Sequence, residues 1–170
     1  VNFAPVVEIS RSNLSFLNRE GRVFRPEDDN QDKVLQFSQA MIRGYEEEGV
    51  VAVAKHFPGG LGRVMEDPHL QMPEVNISNK ELQKDLYVFK NLVEERKVDA
   101  IMTSHLKYPK IDPDNPVTTS DKFISDILRS DLGFDGVIIS DDLVMNSITN
   151  NFTIPEAATK ATLAGHDMVL

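Results

Sequence analysis

The sequence of 170 residues contains no cysteine and no tryptophan. Without thiols the chain can form neither disulfides nor thiolate metal sites, and no cysteine can act as a nucleophile. Its apolar runs are all shorter than the roughly 18 to 20 residues that a helix needs to cross a bilayer, so we expect no membrane span. The first residues already resemble a strand, and we therefore expect no signal peptide in this segment.

Positive charge is also scarce, with 18 Lys and Arg against 27 Asp and Glu and a formal net charge of −9. This balance disfavours nucleic acids and anionic membranes as partners, because both are bound by clustered basic side chains. The four histidines show none of the spacings that are typical of metal ligands, so we expect no metal site and no cofactor. The composition leaves the compartment and the oligomeric state open.

Short apolar runs alternate regularly with amphipathic segments along the chain. A segment with helical spacing is predicted over 29–48, and capping boxes at 78–81 and 153–156 mark the starts of two further helices. The segment 107–116 is rich in Pro and Asp and is interpreted as a loop. This alternation indicates an α/β fold with a parallel sheet and right-handed crossovers. The predicted strands lie near 3–9, 50–55, 100–105, 136–141 and 167–170.

Two architectures fit this pattern: an open, doubly wound sheet and part of a (β/α)8 TIM-type barrel. An open sheet usually binds ligands at one switch point, whereas a barrel brings many strand ends together around one pocket. A whole barrel needs about 250 residues. We therefore interpret residues 1–170 as one partial domain with five consecutive βα units of a larger barrel. The polar residues at the predicted strand ends, which favour the barrel, are Glu8, Lys55, His56, His105 and Asp141.

The segment 55–73 carries the strongest functional signal. It begins directly after an apolar strand with Lys55 and His56, passes through a glycine-rich loop, and then supplies Asp67 and His69. Taken alone, each of these residues has a simpler interpretation, since a lone histidine or lysine in a loop is more often a solvated surface residue. Asp141 also has a simpler interpretation, because an aspartate after a strand often caps the next helix.

Several short motifs nevertheless follow one another along the chain, and their order is informative as well as their residues. They include Asn-Phe-Ala-Pro-Val-Val at 2–7, Gly-Arg-Val-Phe at 21–24, Lys-His-Phe-Pro-Gly at 55–59, Asp-Pro-His-Leu at 67–70, Met-Thr-Ser-His at 102–105, Ser-Asp-Asp-Leu at 140–143 and Ala-Gly-His-Asp-Met-Val-Leu at 164–170. In this order they resemble glycoside hydrolase family 3, in particular its bacterial β-N-acetylglucosaminidases. The resemblance implies that the chain holds strands three to seven of the family barrel.

The resemblance also implies an activity, which is retaining hydrolysis of a terminal β-linked N-acetylglucosamine in peptidoglycan or chitin-type fragments. Asp141 would be the nucleophile that forms a glycosyl-enzyme, and His69, oriented by Asp67 on a mobile loop, would transfer the proton. The full-length protein would work in the bacterial cytoplasm or be secreted or lipid-anchored. The residues that would bind the hydroxyl groups of the carbohydrate are Lys55, His56 and Arg22.

One stretch departs from the family pattern. The family loop continues with His-Gly-Asp-Thr after Lys-His-Phe-Pro-Gly, whereas this chain has a longer stretch ending in Arg63, and Pro68 replaces a serine. We expect the glycines at 59, 60 and 62 to let the loop swing over the sugar, and an extended backbone at 67–69 to place both side chains of the pair on one face. A β-glucosidase or phosphorylase of the same family, a non-catalytic sugar-binding relative and an inactive barrel fragment stay open as alternatives. The pair itself favours an enzyme, because a binding protein needs no titrating pair beside a nucleophile.

Overall fold

The structure is a computed structural model and describes residues 1–24 and 30–170. Parallel strands form the central sheet in the order β1–β2–β5, and β3 and β4 form a separate antiparallel hairpin. The α/β class with a parallel sheet, predicted from the alternating pattern, is confirmed. In chain order the strands are β1 (Val53–Phe57), β2 (Ala100–Thr103), β3 (Lys107–Tyr108), β4 (Asp112–Pro116) and β5 (Val137–Ile139).

Two further segments extend the sheet, one beside β1 and one beside β5. Asn2 and Val6 form parallel bridges to the β1 side, and Met168 forms one to Ile139. The predicted strands near 3–9 and 167–170 are therefore present only as isolated bridges. Proline contributes to this at the first segment, because Pro5 has no N–H to donate to a neighbouring strand.

Helices cover the sheet. The first long helix ends at Glu47, close to Gly49 in a left-handed conformation, and Asp29 at its predicted start lies outside the described residues. The capping boxes at Ser78 and Thr153 are both present, which confirms two predicted helix starts. The helices are α1 (Phe16–Arg19), α2 (Gln31–Glu47), α3 (Asn79–Asp85), α4 (Tyr87–Glu94), a 3₁₀ turn (Val117–Thr119), a π-helix (Lys122–Asp131), α5 (Asn146–Thr149) and α6 (Ile154–Ala164). Within the described part of the chain, none is long and apolar enough to cross a membrane.

The segment 107–116 is a hairpin and not the predicted loop. Lys107 pairs with Pro116 and Tyr108 with Asp112, and the Tyr108 side chain is fully buried. The Asp112 carboxylate accepts hydrogen bonds from the backbone N–H groups of Asp114 and Asn115, which fixes the local conformation of β4. The composition of this segment does not predict strands, because Pro and Asp are among the residues least favoured in them.

The orientation of the sheet positions the polar strand ends. Because β1, β2 and β5 are parallel, their carboxyl ends lie at the same edge of the sheet. Lys55 and His56 lie within the last residues of β1, while His105 follows β2 and Asp141 follows β5. The fold thus gathers residues from distant parts of the sequence at one edge.

Candidate active site

Asp141 lies at this edge with its side chain partly accessible. Its carboxylate Oδ2 is 3.9 Å from Nε2 of His56, and its other oxygen accepts a hydrogen bond of 2.9 Å from the backbone N–H of Asp142. The Asp141 side chain retains 23% of its exposure. A carboxylate oxygen that is reachable from solvent is the arrangement that a nucleophilic aspartate needs.

His56 is oriented by Glu8, which the sequence places at a strand end but does not predict as a partner of His56. One Glu8 oxygen accepts from the His56 ring Nδ1 at 2.8 Å and from the His56 backbone N–H at 3.1 Å. Its other oxygen accepts from the Leu61 N–H at 2.8 Å. Both side chains are buried, and the carboxylate assigns the ring proton to Nδ1. His56 therefore presents Nε2 towards Asp141.

Lys55 and Arg22 form the cationic side of the site. Burial lowers the pKa of Lys55 and the nearby charge of Arg22 lowers it further, whereas Asp141 and Glu8 act in the opposite direction. The two cations line a common pocket of about 470 Å³ that also has apolar walls. β1 shifts register between Lys55 and Phe57, an irregularity that is common where a strand directs side chains into an active site.

Asp67 and His69 form the predicted pair, which lies in a different backbone conformation from the one expected. Asp67 Oδ1 accepts hydrogen bonds from the His69 backbone N–H at 2.8 Å and from the ring Nδ1 at 2.6 Å. The segment is a turn, in which the N–H groups of Leu70 and Gln71 bond back to the Asp67 carbonyl. The expectation of an extended segment is wrong, because an aspartate side chain that binds the N–H two residues on favours a turn.

The electrostatics of the pair are consistent with an ionised carboxylate beside an accessible imidazole. Partial burial would raise the pKa of Asp67, but the two hydrogen bonds from His69 outweigh it and hold the pKa below its usual value. The His69 side chain is 54% exposed and its ring centre is 5.9 Å from that of Phe16. A hydrogen bond of 3.2 Å from the Asn146 N–H to the His69 carbonyl links the turn to the segment that follows Asp141.

The glycines of the loop have a different role from the expected one. Residues 59–62 are buried, and a Cβ at Gly60 would lie 2.0 Å from the Tyr108 hydroxyl oxygen. A Cβ at Gly62 would lie 2.1 Å from the carbonyl oxygen of Ile9. These glycines allow a close approach of buried groups, which argues against their acting as the flexible part of a swinging loop.

His105 binds the backbone of the segment that contains Asp141. Its Nε2 lies 2.9 Å from the Asp142 carbonyl and its Nδ1 lies 2.6 Å from the Thr118 hydroxyl. Burial lowers the pKa of His105, although the charge of Asp141 opposes this, so the ring is neutral near pH 7. The neutral ring donates from Nε2 and accepts at Nδ1. The position of His105 at the end of a predicted strand is the sequence signal that marks it as a candidate site residue.

Among residues 1–24 and 30–170 there is no group of three or more His, Cys, Asp or Glu side chains that could hold a metal ion. A carboxylate beside a cationic pocket, with a second imidazole–carboxylate pair on a neighbouring loop, can supply both a nucleophile and a proton donor.

Comparison with known proteins identifies the family to which the chain belongs. Residues 1–170 match the family model described as the glycosyl hydrolase family 3 N terminal domain. The chain belongs to glycoside hydrolase family 3. This confirms the resemblance inferred from the ordered motifs, and the α/β architecture of the family 3 chain is consistent with a TIM-barrel-type domain.

Curated relatives of the family 3 chain are named β-hexosaminidases. The one from Tolumonas auensis is 36% identical over 171 residues, which cover 100% of this chain and 49% of the relative. The one from Nitrosomonas eutropha is 35% identical over 171 residues, which cover 100% of this chain and 47% of the relative. The family 3 chain thus spans about half the length of these curated relatives.

Solved structures give the same result. A glycoside hydrolase family 3 β-N-acetylglucosaminidase from Paenibacillus sp. superimposes with a TM-score of 0.91 at 34% identity, covering 99% of this chain and 31% of that one. NagZ from Neisseria gonorrhoeae in complex with N-trifluoroacetyl-D-glucosamine gives a TM-score of 0.84 at 35% identity, covering 99% and 46% respectively. A β-glucoside phosphorylase, BglX, shares the fold at 23% identity.

Proposed function

We propose that the protein carrying this chain is a retaining glycosidase that removes terminal β-linked N-acetylglucosamine. The observation that carries the proposal is the meeting of Asp141 with the Glu8-oriented His56, 3.9 Å apart, beside a loop that bears a hydrogen-bonded pair, Asp67 and His69. The relatives named β-hexosaminidase support the choice of sugar.

Asp141 is the nucleophile in this proposal. Its carboxylate oxygen attacks the anomeric carbon, the bond from that carbon to the leaving oxygen breaks, and a glycosyl-aspartate forms. The positive charge of Lys55 lies close enough to Asp141 to interact with it electrostatically. That interaction joins the nucleophile to a cationic residue of β1.

His69 transfers the proton. Asp67 holds the ring through Nδ1, which leaves Nε2 to donate a proton to the leaving oxygen in the first step. In the second step the same nitrogen takes a proton from water, which attacks the anomeric carbon and releases Asp141. The exposure of the ring permits contact with a bound glycoside.

Lys55, His56 and Arg22 bind the sugar. Lys55 and Arg22 line a shared pocket, and sugar hydroxyl oxygens accept hydrogen bonds from N–H donors of these residue types. Nε2 of His56 faces the Asp141 side of the site, where the polar substituents of the sugar nearest the anomeric carbon would lie.

Residues 1–170 contribute strands three to seven of a TIM-type barrel in this proposal, as one partial catalytic domain. The sheet order is consistent with this, since bridged segments extend it on both sides of β1–β2–β5. The remaining strands would come from other parts of the polypeptide. An experimental structure of the complete protein with a different strand order, or with antiparallel neighbours at either side, would overturn this arrangement.

Trapping the intermediate tests the function directly. The complete protein is incubated with a 5-fluoro glycoside of N-acetylglucosamine and its peptides are mapped by mass spectrometry, with Asp141→Asn as the control. Labelling at Asp141 in the wild type alone is the expected result, and a label on another residue would refute the assignment.

The choice of sugar and acceptor is tested with chromogenic substrates. Hydrolysis of a nitrophenyl N-acetyl-β-glucosaminide is expected to exceed that of the matching β-glucoside. The reverse preference would indicate a β-glucosidase. Formation of a sugar 1-phosphate when inorganic phosphate is added would indicate a phosphorylase.

A further inference from the structure

The base of the loop that departs from the family pattern is fixed to the body of the domain. The Arg11 N–H donates to the Gly62 carbonyl at 2.9 Å, and the Phe16 N–H donates to the Val64 carbonyl at 2.7 Å. These bonds join residues that are far apart in sequence. We call residues 59–64 the loop base and residues 65–72, which include Asp67 and His69, the loop tip.

An ion pair strengthens the attachment of the loop base. Arg63 binds Asp85 of α3 through two hydrogen bonds, from Nε at 2.6 Å and from Nη2 at 2.9 Å. Arg11 adds a third contact to the same carboxylate at 3.3 Å. The Asp85 side chain is fully buried and that of Arg63 is 19% exposed. A fork-shaped, largely desolvated contact of this kind fixes orientation as well as distance.

The loop tip differs sharply from the base. Met65 and Leu70 in the tip are mostly exposed. The tip is connected to the rest of the site by few bonds, among them one from Arg19 to the Met65 carbonyl at 2.8 Å and one from Asn146 to the His69 carbonyl. The base, which is continuous with the tip in the chain, sets the position of the tip together with these contacts.

We propose that Arg63 and Asp85 are positioning residues for proton transfer: their ion pair fixes the loop base so that His69 meets the leaving oxygen. Neither residue touches substrate, and each acts through His69. The inference rests on the proposed function for its chemistry, while the attachment of the loop is a property of the contacts alone. The chain thus replaces the family's His-Gly-Asp-Thr stretch with a closely packed glycine turn ending in an arginine anchor.

The kinetic test uses two glycosides of N-acetylglucosamine that differ in their need for a proton. A methyl glycoside requires protonation of its leaving oxygen. The leaving group of a nitrophenyl glycoside is a stable phenolate, which departs without a proton. In the complete protein, Arg63→Met should lower kcat/KM for the methyl glycoside by roughly ten- to a hundredfold, as expected for a misplaced catalytic group. For the nitrophenyl glycoside the loss should stay below about threefold.

Two further variants keep the test independent of folding. Arg63→Lys retains the charge and one hydrogen bond, so it should show the same substrate selectivity to a smaller degree. Arg129→Met is the matched control, because Arg129 binds Asp167 at 2.6 Å and bonds to the Gly136 carbonyl before β5, away from the Asp141 end. It should affect both substrates alike. Equal losses on both substrates in Arg63→Lys would overturn the proposal.

Hydrogen exchange separates this inference from the proposed function. Peptides covering 59–72 should exchange faster in Arg63→Met than in the wild type, and should not change in Arg129→Met. Unchanged exchange in Arg63→Met would refute the anchoring role whatever the kinetics show. A wild-type protein without glycosidase activity would refute the proposed function, and the exchange data would then decide on the anchor alone.

Discussion

His166 provides a test of the fold through pH. The residue follows α6 and is buried, with its Nδ1 3.0 Å from the Ala161 carbonyl and its Nε2 2.9 Å from the Thr103 hydroxyl. A neutral ring satisfies both contacts by donating from Nδ1 and accepting at Nε2. Burial lowers the pKa of His166 to about 4, and the backbone hydrogen bond to Ala161 opposes this only in part.

Acid should therefore weaken the fold at this position. In the unfolded chain a histidine takes up a proton below about pH 6.5, whereas the folded protein resists this until about pH 4. Protons therefore bind the unfolded state more strongly in this window, and stability is lost as the pH falls through it. Between pH 7 and about pH 4.5 the free energy of unfolding should decrease by about 2.5 kcal/mol on account of His166.

Urea unfolding followed by circular dichroism, at both pH values, measures this decrease. His166→Gln should lower stability at pH 7 by about 1 kcal/mol through a lost hydrogen bond, but should show a decrease on acidification that is smaller by about 2.5 kcal/mol. His105 titrates in both proteins and cancels in the comparison. An equal decrease in the wild type and the variant would refute the view that His166 is held neutral.

Three substitutions in the site lead to further predictions. Asp141→Asn should reduce kcat by more than about a thousandfold while the thermal unfolding midpoint stays close to that of the wild type; retained turnover would exclude Asp141 as the nucleophile. His69→Ala should lower kcat/KM about a hundredfold for a methyl glycoside and little for a nitrophenyl glycoside, and equal losses would mean that it binds sugar. Gly60→Ala should cost about 1 to 3 kcal/mol in urea unfolding, because its Cβ would collide with the Tyr108 hydroxyl; a neutral effect would show that the packing there relaxes.

Several parts of the fold and site could be predicted because they depend on local sequence. An apolar run that ends in a carboxylate locates Asp141 at the end of β5, and the spacing of Ser78 and Glu81 marks the start of α3. The ordered motifs then identify the family. These signals lie within a few residues of the features they predict.

Other parts depend on contacts that a linear pattern does not contain. Glu8 and His56 are 48 positions apart, and only the parallel pairing of the first segment with β1 brings them together. The sequence indicates Asp67 and His69 as a pair but predicts an extended backbone between them, whereas the hydrogen bond from the His69 N–H to Asp67 favours a turn. The tight packing at Gly60 likewise follows from the hairpin that carries Tyr108.

The double hydrogen bond of Asp67 to His69 has a consequence for loop movement. The same oxygen holds both the backbone and the ring of His69, so the turn and the orientation of the imidazole form one rigid unit. Any movement of the loop tip would therefore carry the turn and the ring together, with Nδ1 of His69 still bound to Asp67 and Nε2 facing outward. A single proton on Asp67 would weaken the turn and release the ring together, and the lowered pKa of Asp67 moves that event to a lower pH than for an ordinary aspartate.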